Sequence, residues 1–187
     1  MAVISKNSME RTGIEELFGN SLISQIEKEQ KITSPEEVLK ACHIINFPVD
    51  IEAIAKHYDI SIENKLFDNN ISGMLTKEDG KYKIYVEISH PENRKRFTIA
   101  HELAHFFLHK NLDDNFEDKV FFRGVLADSI EHQANNFASN LLMPKEVFLK
   151  EVKEGRGRIE ELSEFFKVST LAVRVRAKQL NLTGHGL

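Results

Sequence analysis

Cysteine occurs once, as Cys42, so no disulfide can close within the chain and no cysteine-rich zinc arrangement is available. Any metal must be held mainly by His, Asp or Glu. Long apolar runs are missing as well: none approaches the ~18 residues needed to cross a bilayer, and no membrane partner is expected. The start, Met1 to Asn7, turns polar after a few apolar residues, unlike a secretory leader. A reducing cytoplasm is therefore the expected location. Charge of one sign is also scarce. A net charge of −4 gives no general attraction to nucleic acid or to an anionic membrane, although a local basic patch is compatible with it. Repeats and low-complexity tracts are absent.

What is present is ordinary globular material. The 187 residues are 41% hydrophobic and 29% charged, which suits one domain, or a core domain with a small appendage. Residues 1–33 are polar with scattered apolar positions and read as a helical N-terminal extension. Ser34-Pro35-Glu36-Glu37 is a helix start, with a capping serine, a proline in the first turn and a glutamate that reaches back. Asp50 caps the next predicted helix, Ile51 to His57. From Ile60 the period changes. Ile60-Ser61-Ile62, Ile71 to Leu75 and Tyr82 to Val86, with Asp79-Gly80 as a turn, predict a small sheet containing a hairpin. Helices are then predicted from Pro91 and Glu92 to about His109, after the polar loop Asn111 to Asp118 from Leu126 to Leu142, and from Pro144 to Glu154 with Gly155 as its stop. Two more follow, Ile159 to Phe166 and Ser169 to Leu180. The expected divisions are 1–33, 34–155 and 156–187.

The helix from Glu92 contains His101-Glu102-Leu103-Ala104-His105. Residues four apart lie ~40° apart around a helix and ~6 Å along it, so both imidazoles can address one ion. Zinc accepts neutral imidazole nitrogen, and the adjacent Glu102 carboxylate can take a proton from a metal-activated water. The bland alternative is two polar helix residues satisfied by hydrogen bonds. With the eight histidines of this chain, the pattern would arise by chance in ~4% of such sequences, so a further feature must decide.

A catalytic zinc site usually has three protein ligands and an open position. Glu131 is the best third candidate, because it shares a helix face with Ala134, Ala138 and Leu141, a face expected to be buried. A carboxylate on a buried face is costly unless paired or metal-bound. The alternative for Glu131 is a solvated helix carboxylate. Asn135, one turn later, could orient a metal-bound histidine. His109 continues the i, i+4 series but lies ~12 Å along the axis from His101, so one ion cannot be held by all three. It reads as a structural or rim residue. His132 reads as outward-facing, and Tyr82 and Tyr85 as packing.

Taken together, Arg96-Phe97-Thr98-Ile99-Ala100-His101-Glu102-Leu103-Ala104-His105 and Glu131-x-x-Ala134-Asn135-x-Phe137-Ala138-x-x-Leu141-Leu142-Met143-Pro144 resemble the ImmA/IrrE family of zinc metallopeptidases. The resemblance spans about residues 48–150. It implies an α+β fold: a mostly helical, zincin-like metallopeptidase domain with a small β-sheet and a C-terminal helical segment. It also implies His101, His105 and Glu131 as ligands of Zn2+, Glu102 as general base, and a helix-turn-helix repressor as the protein substrate, cut to release a stress, phage or mobile-element response. Many members of that family carry an acidic residue where this chain has Gln133.

The tail opens a second possibility. Leu162 to Val173 resembles the turn of a helix-turn-helix, and residues 156–187 carry six Lys or Arg against three Glu. Yet Arg174 and Arg176 point ~160° apart on a helix, so the bases form no single stripe and direct DNA binding is not expected. Three readings stay open: a zinc endopeptidase, a zinc-bearing regulator that binds a repressor or antitoxin without cutting it, and a DNA-binding protein with structural zinc.

Overall fold

Ser34 opens the first described helix as its sequence predicts. Its hydroxyl accepts from the Glu37 N–H at 3.2 Å while the Glu37 carboxylate accepts from the Ser34 N–H at 3.0 Å, closing a capping box at the head of α1 (Pro35–Ala41). The computed structural model describes residues 33–68, 71–110 and 125–182, except the side chains of 125–127. The expected helical extension, residues 1–33, lies outside those residues except for Thr33, and so does the loop Asn111 to Asp118. Asp50 caps α2 (Ile51–His57) by accepting from Ala53 N–H at 2.9 Å.

Among the described residues the sheet has three strands, β1 (Ser61–Lys65), β2 (Gly73–Glu78) and β3 (Lys81–Glu87), in the order β1-β3-β2. β2 and β3 form the expected antiparallel hairpin, with Glu78 opposite Lys81. Asp79 and Gly80 both hold positive φ, 51° and 78°, as a two-residue hairpin turn requires. β1 instead runs parallel to β3. Parallel pairing is why these strands are joined through a longer connection. Boundaries differ from the sequence reading: β1 starts at Ser61 and runs on to Lys65, and β2 starts at Gly73, so Ile71 is outside it and exposed.

Among the described residues five more helices follow: α3 (Glu92–His109), α4 (Val125–Leu142), α5 (Lys145–Lys153), α6 (Ile159–Phe166) and α7 (Thr170–Gln179). α4 ends before Pro144, whose ring cannot continue it. Gly155, at φ 106°, lets the chain leave α5 in a conformation that strains other residues. A short turn through Lys167, at φ 52°, joins α6 to α7, and Ser169 caps α7 by accepting from Ala172 N–H at 3.1 Å.

Residues Ile32–Leu187 group as one unit. Its core draws on every layer: Ile54 of α2, Leu75 and Ile84 of the sheet, Leu103 of α3, Leu141 of α4, Phe148 of α5, Phe166 of α6 and Val173 of α7. Polar ties, half-buried or buried, join the tail to the rest of the fold. Asn93 donates to the Val168 carbonyl at 3.1 Å, and Arg96 reaches the Lys167 and Val49 carbonyls at 3.2 and 2.8 Å. Arg176, itself buried, donates from Nε to the Met143 carbonyl at 2.9 Å. No described helix is long and apolar enough to cross a membrane.

Candidate metal centre

α3 and α4 pack along each other and bring the sequence-predicted donors together. His101 and His105 share one face of α3, and their Nε2 atoms stand 3.0 Å apart. Glu131 reaches across from α4 with a straddling carboxylate: Oε2 is 3.2 Å from His101 Nε2, and Oε1 is 3.5 Å from His105 Nε2. The donor atoms of these three residues all lie within 4.8 Å of one another, a spacing that could hold a metal ion.

The expected burial of Glu131 is wrong. Its side chain is 49% exposed, whereas Ala134, Ala138 and Leu141 on the same helix face are fully buried. The shared face is right, but helical phase says nothing of depth: Glu131 sits at the exposed end of that face. The cost of burying a carboxylate therefore does not argue for a ligand role here; its approach to two imidazoles does.

The far side of each histidine ring is occupied. His101 Nδ1 lies 3.2 Å from Asn135 Oδ1, the contact expected of an orienting residue. His105 Nδ1 lies 3.0 Å from His109 Nδ1, and His109 Nε2 lies 3.5 Å from Gln133 Oε1. His109 is therefore no rim residue: it is 3% exposed, and burial holds its pKa below the usual histidine range. The i, i+4 step from His105 to His109 carries the signal for this contact, since that step brings side chains together even where it cannot complete a chelate.

Glu102 is buried on the same helix, 3% exposed, and faces the start of β2. A Cβ placed on Gly73 would come 3.3 Å from Glu102 Oε1, so the glycine lets the strand pass close to the carboxylate. His132 is exposed, as expected, and with Asn135 it lines a cleft of ≈ 550 Å³ walled by Phe97, Leu171, Val175 and Gln179. Tyr82 packs its ring edge-on to Phe106 at 4.9 Å, in keeping with a packing role, and Tyr85 donates its hydroxyl to Glu78.

Residues 50–178 match the IrrE N-terminal-like domain of a peptidase family. The chain belongs to that family. Its ImmA/IrrE character agrees with a curated relative, the Metallopeptidase ImmA of Bacillus subtilis (strain 168), which is 30% identical over 146 residues, 78% of this chain and 82% of that protein. Among solved structures, a Mycobacterium tuberculosis transcriptional regulator shares the fold, with a TM-score of 0.59 at 19% identity. The likeness covers 77% of this chain but only 44% of the regulator. The IrrE N-terminal-like match takes in the donors on α3 and α4 and almost all of α7, so the tail helices belong to the matched region.

Proposed function

We propose that the protein is a zinc-dependent endopeptidase of the cytoplasm that cuts a helix-turn-helix transcriptional repressor and so releases a stress, phage or mobile-element response. The observation that carries this reading is the meeting of His101 Nε2, His105 Nε2 and the Glu131 carboxylate beside the buried Glu102. A tetrahedral zinc with bonds of ~2.0–2.1 Å spaces its ligand atoms ~3.3 Å apart. The separations of 3.0, 3.2 and 3.5 Å fit that spacing, and two imidazoles with one carboxylate are a common catalytic donor set. Membership of a metallopeptidase family supports the protease reading. The name of the mycobacterial neighbour is in keeping with a link to transcriptional control.

His101, His105 and Glu131 would hold the ion, which supplies Lewis-acid activation of water and of a peptide carbonyl when bound. Glu102 takes the proton from the attacking water on a carboxylate oxygen and returns it to the nitrogen of the departing amine. Asn135 keeps the His101 ring turned toward the centre by accepting from its Nδ1–H. Among the described residues β2 is an edge strand, and it begins at Gly73 against Glu102. An extended peptide adds to that edge by backbone pairing, which brings its scissile bond past the carboxylate.

Glu102→Gln tests this reading. The variant keeps shape and metal donors but loses the base, so cleavage of a helix-turn-helix repressor that the parent cuts should fall by ~10²–10⁴-fold with zinc content unchanged. Cleavage at the parent rate would sink the mechanism.

A further inference from the structure

The seam between α3 and α4 that holds the candidate centre runs on beyond it. Residues four apart share a helix face, so one turn back along α3 leads from His101 to Phe97 and a second to Asn93, while one turn on along α4 leads from Glu131 to Asn135 and a second to Ser139. All four line the cleft of ≈ 550 Å³. Its wall touches the centre itself, because Asn135 Oδ1 lies 3.2 Å from His101 Nδ1. One imidazole and that contact separate the wall from the His101 Nε2 that faces Glu131, within the ~7 Å that two extended residues span.

The third side of the cleft is α7, which is fastened at both ends. Gln179 Nε2 donates to Asn136 Oδ1 of α4 at 3.0 Å, and Asn93 of α3 donates to the Val168 carbonyl, just ahead of α7, at 3.1 Å. Between these ties Leu171 and Val175, one turn apart, line the cleft while 68% and 47% exposed. With Phe97 they give a concave, preformed site an apolar surface that a second apolar group would cover. Among the described residues, none that lines the cleft is Asp or Glu, so nothing there neutralises a Lys or Arg side chain. Arg94, His132 and Asn135 supply polar atoms for a peptide backbone. Arg94 also donates to Ser72 Oγ at 3.1 Å, next to the start of β2 at Gly73, so one side chain borders both the cleft and the open strand edge.

We propose that this cleft is the pocket for an apolar substrate side chain within two residues of the scissile bond, and that Phe97, Leu171 and Val175 select it. The inference rests on the reading of the centre as that of a zinc endopeptidase. A peptide paired with β2 leaves that edge beside Gly73 and Arg94, and its apolar side chain enters the cleft. Selection follows from fit: each methylene that an apolar pocket loses is worth ~10-fold or more in kcat/KM.

The test uses the full zinc-loaded chain and short peptides tipped with a zinc-binding hydroxamate, carrying Leu, Ala, Asp or Lys at the first or second position from the tip. By calorimetry the Leu probe should bind at least ~10-fold tighter than the Ala probe at one of those positions, with the Lys probe weakest. Val175→Lys, at a half-exposed position, should leave zinc content and the melt unchanged, bring the Leu and Ala probes near parity and favour the Asp probe by ~2–5-fold. In a library of peptides from a digested proteome, the bonds that the parent cuts should share an apolar residue at that position, and Val175→Lys should shift it toward Asp and Glu. Equal binding of Leu and Ala probes to the parent, or a Leu preference that survives both Val175→Lys and Leu171→Glu, overturns the inference. So does a parent dimer that Val175→Lys dissociates, because a second copy then covers the cleft. A zinc-loaded parent that prefers the Leu probe but cuts no library peptide upholds the pocket and counts against the endopeptidase reading; a parent that takes up no zinc removes both.

Discussion

Gly73→Ala is the sharpest probe of how the sheet meets the site. A Cβ at this position would lie 2.3 Å from Thr98 Cγ2, 3.1 Å from the Tyr85 carbonyl oxygen and 3.3 Å from Glu102 Oε1. Carbon atoms in contact rest ~3.5–4.0 Å apart, so the first approach is short by ~1.2–1.7 Å. Thr98 is buried on α3, and relief requires β2 to lift from that helix or the threonine to turn. Overpacking of this kind costs about 1–3 kcal/mol, a fall in Tm of about 2–12 °C for a domain of this size. Thr98→Ser removes the clashing methyl group and nothing else. Thermal melts of the parent, both single variants and the double variant form a cycle in which the two changes should couple by about 0.5–1.5 kcal/mol, the double variant regaining much of the loss. Activity adds a second readout. A shift of the Glu102 carboxylate approaching 1 Å would lower kcat/KM by up to ~10²-fold. A Gly73→Ala protein that melts within about 1 °C of the parent, or one that Thr98→Ser fails to relieve, would show that the strand does not press on α3 as described.

Three other outcomes follow from particular contacts. Glu131→Ala should lower zinc affinity by more than ~100-fold, beyond the effect of losing a supporting hydrogen bond, yet scarcely alter the melt of the metal-free chain, because the carboxylate is half exposed; chelator competition and calorimetry separate the two. Glu87 accepts from the backbone N–H groups of Phe67 at 2.7 Å and Ser89 at 2.9 Å, which hold its pKa down to about 2 from 4.5. A depressed carboxylate stabilises the fold above its unfolded pKa, and that contribution is lost as pH falls from 4.5 toward 2; Glu87→Gln should flatten the decline of the urea midpoint across that window, and an unchanged slope would refute the assignment. Arg176→Ala strands the Met143 carbonyl and should cost about 1–3 kcal/mol by urea unfolding, with zinc affinity unaltered; full retention of stability would mean the buried hydrogen bond contributes nothing.

Much of this architecture is legible because its causes are local. The capping box at Ser34, the cap at Asp50, the Asp79-Gly80 turn and the stop before Pro144 each act within a few residues, and each element forms where those signals stand. The donor pair on α3 is equally local, since the helical repeat alone aligns His101 with His105. What escapes is tertiary. The parallel pairing of β1 with β3 leaves no signature in either strand, and Gly73 is constrained by Thr98, twenty-five positions away. Arg176 reads as one of six tail bases, but its guanidinium is committed to the Met143 carbonyl, and burial holds its pKa below the usual value. Leu171 and Val175, on the same helix, remain exposed beside the cleft that also touches Asn135.

Glu131 and His109 mark the same boundary from opposite sides. Helical phase puts Glu131 on the face of Ala134, Ala138 and Leu141, and that face does turn toward α3, but its depth depends on where the two helices part, which phase does not encode. For His109, an axial distance of ~12 Å from His101 rules out a shared ion, and the sequence argument ends there. The ring is instead committed inside the protein: its Nδ1 lies 3.0 Å from His105 Nδ1, and its Nε2 lies 3.5 Å from Oε1 of Gln133, twenty-four residues beyond it on another helix. The motif thus names the atoms that meet, while the fold decides what stands behind each of them.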